Sequence, residues 1–145
     1  MKFIKNWTPI TVPSGETIYR PTLAVFVEGV IGFSAHDFMI DSGADLSMAP
    51  YSLFRELGRA EWEKGARLLV RGISPKEECM VEGRVHDVNF FIAELGLQID
   101  IPVCFAKGDV PLLLGREGFF DHFVVTLDKS ARTSTFDFIG EEYLR

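Results

Sequence analysis

The stretch "DFMIDSGADLSMAP", residues 37–50, poses the problem of this chain. An apolar run, Phe38-Met39-Ile40, leads straight into Asp41. Ser42 and Gly43 follow, and the chain then turns apolar again at Ala44, Leu46, Met48 and Ala49. Asp, Ser and Gly are ordinary turn residues, because short polar side chains bond nearby backbone and Gly accepts positive φ. These flanks are not those of a solvated tip. They predict a turn packed inward, carrying a carboxylate that needs hydrogen bonds or a change of protonation.

Working outward, the pattern is mostly β. "TLAVFVEG" (22–29) and "FSAHDFMI" (33–40) read as strands joined through the two glycines of "GVIGF". "ADLSMA" (44–49) makes a short strand. Pro50 suits the first turn of a helix and Gly58 its stop, so "PYSLFREL" is a helix of about two turns. "RLLVRGISPKEECMVEGRV" (67–85) gives two strands around a Gly-Ile-Ser-Pro turn. "VHDVNFFIAEL" (85–95) and "QIDIPVCF" (98–105) flank another hairpin; in the latter, Ile99, Ile101, Val103 and Phe105 alternate and predict one buried face. "VPLLLG" (110–115) is a short apolar strand, "REGFFDHF" (116–123) a short helix, and "FVVTLD" with "TSTFDFI" a last strand pair. Many short strands with two small helices predict a closed or folded-over β structure.

Composition bounds the function. A chain of 145 residues with 47% apolar content fits one domain with a sizeable core. A net charge of −6 without a basic cluster speaks against nucleic acid as a partner. No apolar run approaches membrane-spanning length, and the N-terminal residues lack the apolar core of a secretory signal. A cytoplasmic location is therefore expected. Cys79 and Cys104 stand alone and read as reduced, partly buried thiols. His36, His86 and His122 lack metal-ligand spacing, so no metal and no cofactor are expected. There is no Gly-x-Ser-x-Gly elbow and no phosphate-binding glycine loop. Phe119, Phe120 and Phe123 read as packing residues.

A second segment, "PLLLGREGFF" (111–120), is an apolar strand ending in Gly-Arg. With Asp41-Ser42-Gly43-Ala44-Asp45 followed later by Leu113-Leu114-Gly115-Arg116, the sequence resembles the retroviral-type aspartic proteases, or retropepsins. The longer run 112–128 looks like their small single-domain bacterial relatives. The resemblance spans about residues 20–128, and both motifs occur in the right order and strand context. It implies an acid-protease β-barrel with two short helices, working as a homodimer. It divides the chain into an N-terminal extension (1–20), a protease domain (21–140) and a C-terminal tail (141–145).

The resemblance also implies roles. Asp41 is the catalytic carboxylate, and the family needs two of them with one water. Only one Asp-Ser-Gly occurs here, so the partner implied is a second copy of the chain across a twofold axis. Ser42 bonds the partner's loop, Gly43 offers an N–H to the carboxylate and, with Ala44, supports the active-site loop. Asp45 and Arg116 form a structural ion pair beneath the site. Gly72, Ile73 and Ser74 form the tip of a flap that closes over an extended peptide substrate. Two functions follow: a homodimeric aspartic endopeptidase, or a non-catalytic module that keeps the fold and binds peptides or a partner.

Overall fold

The computed structural model describes residues 1–70 and 80–140. Cys79 and the expected flap tip, Gly72-Ile73-Ser74, lie outside the described residues, as does the segment 141–145.

Three strands come from the first twenty residues: β1 (Lys2–Asn6), β2 (Thr8–Thr11) and β3 (Thr17–Arg20). The rest of the chain supplies β4 (Thr22–Gly29), β5 (Gly32–Ile40), β6 (Ser47–Pro50), α1 (Tyr51–Glu56), β7 (Ala66–Val70), β8 (Val81–Ile92) and β9 (Leu97–Ala106). It ends with β10 (Leu113–Leu114), α2 (Phe119–His122), β11 (Phe123–Asp128) and β12 (Thr133–Phe138).

The central sheet runs β4-β5-β10-β6-β9-β8-β7, and β4 also pairs with β8. That extra pairing, Phe26↔Phe91 and Val27↔Phe90, closes six strands into a barrel and leaves β7 outside it on the edge of β8. The expected closed, mostly β architecture with two short helices is therefore the one observed. Alternation explains why the barrel fills itself. Leu23, Val25 and Val27 of β4 point inward and are buried, as are Val88, Phe90 and Ile92 of β8. The alternating residues of β9 do the same: Ile99, Ile101, Val103 and Phe105 are all buried. The other face of β9 is also covered, because Cys104 and Ala106 pack with Val70 and Val110 in a second small cluster. Burial pushes the Cys104 thiol above its ordinary pKa, as expected of an inert core thiol.

Helix α1 starts after Pro50 and is stopped at Gly58, which takes a left-handed φ of 71°. Its buried residues, Leu53 and Phe54, cap one side of the barrel. Phe54 meets Trp62 edge-on at 5.2 Å and Phe105 at 5.3 Å.

Two details differ from the sequence expectation. Residues 81–92 form one continuous strand, so there is no break near Val85, and the turn into β9 is the four residues 93–96. The second helix covers only Phe119–His122, and Arg116 and Glu117 precede it. Gly118 takes a φ of 89°, outside the helical region, so the helix cannot extend back through it to Arg116 and Glu117, whose N–H groups bond the loop after β5 instead.

A three-stranded sheet, β1-β12-β11, joins the chain ends. Phe3 stacks on Phe136 with ring centroids 4.9 Å apart and meets Phe123 edge-on at 6.5 Å. Lys5 reaches Glu94 at 2.5 Å and ties β1 to the β8–β9 turn. Phe119 and Phe123 are core residues, and Phe120 packs partly buried against them. The hairpin β2–β3 stands apart as a two-stranded unit.

Candidate active site

Strand β10 threads between β5 and β6, the two strands that flank the Asp41 loop. Leu113 and Leu114 pair in parallel with Met39 and Ile40, and Leu113 also pairs with Met48 of β6. The Leu-Leu-Gly-Arg run thus passes beneath the Asp-Ser-Gly turn and stitches it down. Asp41 N–H donates to the Leu114 carbonyl at 3.0 Å, and Arg116 N–H to the Ala44 carbonyl at 2.9 Å. Glu117 N–H donates to the Asp45 carbonyl at 2.8 Å, and Ile40 N–H to the Pro21 carbonyl at 2.8 Å. Within the loop, Ala44 N–H reaches the Asp41 carbonyl at 3.2 Å.

Gly115 makes this threading possible. A Cβ at that position would lie 2.5 Å from the carbonyl carbon and oxygen of Leu46 and 2.9 Å from the Ala44 oxygen. Those neighbours are backbone and cannot swing aside, so only Gly passes. Its N–H donates at 3.0 Å to the hydroxyl of Ser47, a fully buried side chain. Ser47 is a side chain supporting the loop that the motifs do not mark. Its only signal in the sequence is a lone polar residue at the mouth of an apolar strand.

The side chains sit on this frame. One oxygen of Asp41, Oδ1, accepts the Gly43 N–H at 2.9 Å, as implied for that glycine. The carboxylate is half-buried, and Ser42 and Gly43 are exposed. The inward-packed turn expected from its flanks is therefore corrected. Ile40 and Ala49 are buried and anchor the loop, while the Asp-Ser-Gly crest faces out. Ala44 is half-buried against it.

Asp45 and Arg116 are brought together: Nη2 of Arg116 donates to Oδ1 of Asp45, and Nη1 donates to the Ser42 carbonyl at 2.8 Å. In the single chain this pair is at the surface, with side chains 83% and 51% exposed. The pair implied for these two residues therefore forms, and the neighbouring Glu117 makes a parallel bridge to Leu46 alongside the loop.

The histidines stay apart from the site. His36 Nε2 lies 2.8 Å from the Ser34 hydroxyl. His86 lies 3.1 Å from the Trp62 carbonyl through Nε2, and burial lowers its pKa below the ordinary 6.5. Among the described residues no group of three or more His, Cys, Asp or Glu is placed to hold a metal ion.

No protein-family model matches the sequence, and no curated protein matches it significantly. Solved structures do. The crystal structure of a retropepsin-like aspartic protease from Rickettsia conorii superposes with a TM-score of 0.63. The match covers 95% of this chain and 91% of that one at 18% identity. EIAV protease complexed with the inhibitor HBY-793 aligns over 74% of this chain and 88% of that one, at 23% identity and a TM-score of 0.46. The match along almost the whole chain, with β10 threaded between the strands that carry the Asp41 loop, gives this protein the retropepsin fold.

Proposed function

We propose that the chain is one half of an aspartic endopeptidase, a twofold homodimer in which the two Asp41 carboxylates face each other and activate one water. The observation that carries this reading is the Asp41 loop. A carboxylate sits at the end of a core strand, its backbone held by the Leu114 carbonyl and one of its oxygens fixed by the Gly43 N–H. Its crest is exposed, as a surface that must meet a second copy would be. The Ser42 hydroxyl has no hydrogen-bond partner among the described residues, which leaves it available to bond across the axis. The fold match to a protein described as a retropepsin-like aspartic protease supports the same chemistry.

In this mechanism two carboxylates held close together share one proton, because like charges at such range resist joint ionisation. The ionised member takes a proton from the water as it attacks the peptide carbonyl carbon. The protonated member gives its proton to the carbonyl oxygen. The pair then returns a proton to the leaving amine, and the C–N bond breaks. The titration belongs to the pair, so activity falls on both sides of an optimum. The substrate is a peptide in extended form.

The test is subunit exchange. Asp41→Asn keeps the shape of the side chain and removes its acid–base function, so the variant should fold and be inactive. Mixed in equal amount with wild type, it should pair at random, leaving about a quarter of dimers fully wild type and about half the activity of the same wild-type input. A flat response, with exchange confirmed by differently tagged subunits, would rule out a shared pair.

A further inference from the structure

A sizeable cavity lies away from the Asp41 loop. It measures about 720 Å³ and is lined by Trp7, Thr17, Ile18, Tyr19, Lys129, Ser130 and Arg132. That volume is in the usual range for ligand sites, about 300–1,000 Å³. Three features give it a chemical character.

The first is charge. The chain as a whole carries −6, yet two cations line this cavity. Among the described residues neither Lys129 nor Arg132 has a carboxylate within ion-pair distance. The nearest acid in the turn, Asp128, is engaged locally: its Oδ1 accepts the Ser130 hydroxyl at 2.8 Å and the Ala131 N–H at 3.0 Å.

The second is an aromatic wall. The Arg132 guanidinium lies 3.7 Å from the centre of the Tyr19 ring, which holds its donors in place. Trp7 is fixed nearby, its indole N–H donating to the Ser134 hydroxyl at 2.9 Å and its backbone N–H to the Arg132 carbonyl at 2.8 Å.

The third is an unpaired strand edge. Thr17, Ile18 and Tyr19 are consecutive residues of β3, and all three line the cavity. Side chains alternate along a strand, so three in a row means that the edge itself faces the space. The register says which groups are free there. Val12 N–H donates to the Glu16 carbonyl, and the ladder continues through Ile10↔Ile18 and Thr8↔Arg20. Alternation then makes Thr11↔Thr17 and Pro9↔Tyr19 the non-bonded pairs. Pro9, with no N–H to give, stands at one of them. The N–H and C=O groups of Thr17 and Tyr19 therefore point away from β2, and among the described residues β3 has no other neighbouring strand.

We propose that this cavity is a docking site for an extended acidic segment of another protein, added as a third strand on β3. Main-chain groups of Thr17 and Tyr19 pair with the segment. Its carboxylates meet Lys129 and Arg132, and an apolar side chain lies against Trp7 and Tyr19. The site is separate from the carboxylate chemistry of Asp41, and its test does not depend on that chemistry.

The probe is a fluorescently labelled peptide, acetyl-Gly-Glu-Tyr-Glu-Val-Glu-Gly-amide, titrated by anisotropy onto the Asp41→Asn protein so that no cleavage can consume it. Saturable binding is expected, weakening with added salt. Lys129→Glu and Arg132→Gly should each weaken it by about tenfold or more, as for loss of a charge-assisted hydrogen bond. Arg132 has a φ of 54°, which Gly adopts readily, so Arg132→Gly should melt no lower than its parent. A peptide with Lys in place of Glu should not bind. One N-methylated at alternate residues should bind about tenfold more weakly in one of its two registers. Absence of saturable binding would overturn the proposal. So would unchanged affinity in both variants, which would place the peptide elsewhere. Concentration-dependent self-association lost on Arg132→Gly would overturn it too, by making a second copy the occupant.

Discussion

Gly115→Ala tests the threading that builds the candidate site. The added Cβ would meet the carbonyl carbon and oxygen of Leu46 at 2.5 Å and the Ala44 oxygen at 2.9 Å. All are backbone atoms of the loop that carries Asp41, so the strain cannot be relieved by a rotamer change. Replacing Gly with Ala stiffens the unfolded chain, a gain of about 0.4–1 kcal/mol where the native conformation tolerates it. Overpacking against fixed atoms costs about 1–3 kcal/mol. Parting β10 from the loop also weakens the Arg116–Ala44 and Glu117–Asp45 backbone bonds, now 2.9 and 2.8 Å. Each such bond contributes about 1 kcal/mol net. The losses exceed the gain by about 3 kcal/mol, or about 10 °C in melting temperature for a chain of this length. Scanning calorimetry reads that value directly. If cleavage depends on the Asp41 loop, kcat should fall more than the stability loss alone would require at a temperature where the variant is still folded. A melting point within about 1 °C of wild type would refute the close approach as the reason for glycine.

Other outcomes follow from the same geometry. Ser47→Ala removes the buried acceptor of the Gly115 N–H and should cost about 1–3 kcal/mol in urea unfolding, with Ser47→Thr costing less if its hydroxyl keeps the bond. Arg116→Leu should change the stability of the isolated chain by no more than about 1 kcal/mol, because the Asp45 pair is exposed; a loss of several kcal/mol in dilute monomer would show that the pair is enclosed after all. Burial holds the folded His86 pKa below 6.5, so the folded state favours neutral imidazole. Its contribution is fully present above the unfolded pKa and is lost as pH falls through the folded value. Urea midpoints should therefore drop between about pH 7.5 and 5.5 more in wild type than in His86→Gln, which keeps a donor for the Trp62 carbonyl.

Much of this fold was legible because the barrel is written in local alternation. Leu23, Val25 and Val27 announce β4, and Ile99, Ile101, Val103 and Phe105 announce β9, each residue falling on the face where it is buried. What was not legible depended on partners distant in sequence. Strand β1 has one clearly apolar inward residue, Phe3, and its partner β12 lies at the other end of the chain. Nothing local marks such a strand. In β8, Gly83 is the place where the strand crosses Cys104 so closely that a Cβ would sit 2.6 Å from the sulfur. Arg116 and Glu117 read as the first turn of a helix, but their N–H groups bond Ala44 and Asp45, more than seventy residues earlier, and the φ of 89° at Gly118 cuts them off from α2.

The same distinction governs the acidic turn. Apolar flanks on both sides of Asp41 could mean that the turn is enclosed or that it is anchored, and sequence periodicity does not separate the two. The structure decides for anchoring. Ile40 and Ala49 are buried, Leu114 between them is buried, and the turn they hold is presented outward. A turn with so much core beneath it loses little more order when another surface meets it, since its backbone is already fixed by the Leu114 carbonyl and by Arg116 and Glu117 N–H groups. Preorganisation of that kind is what a composite site requires. Two loops that had to become rigid as they met would spend association energy on ordering themselves. Two that are rigid already can place their carboxylates where a shared proton and a single water are held in common.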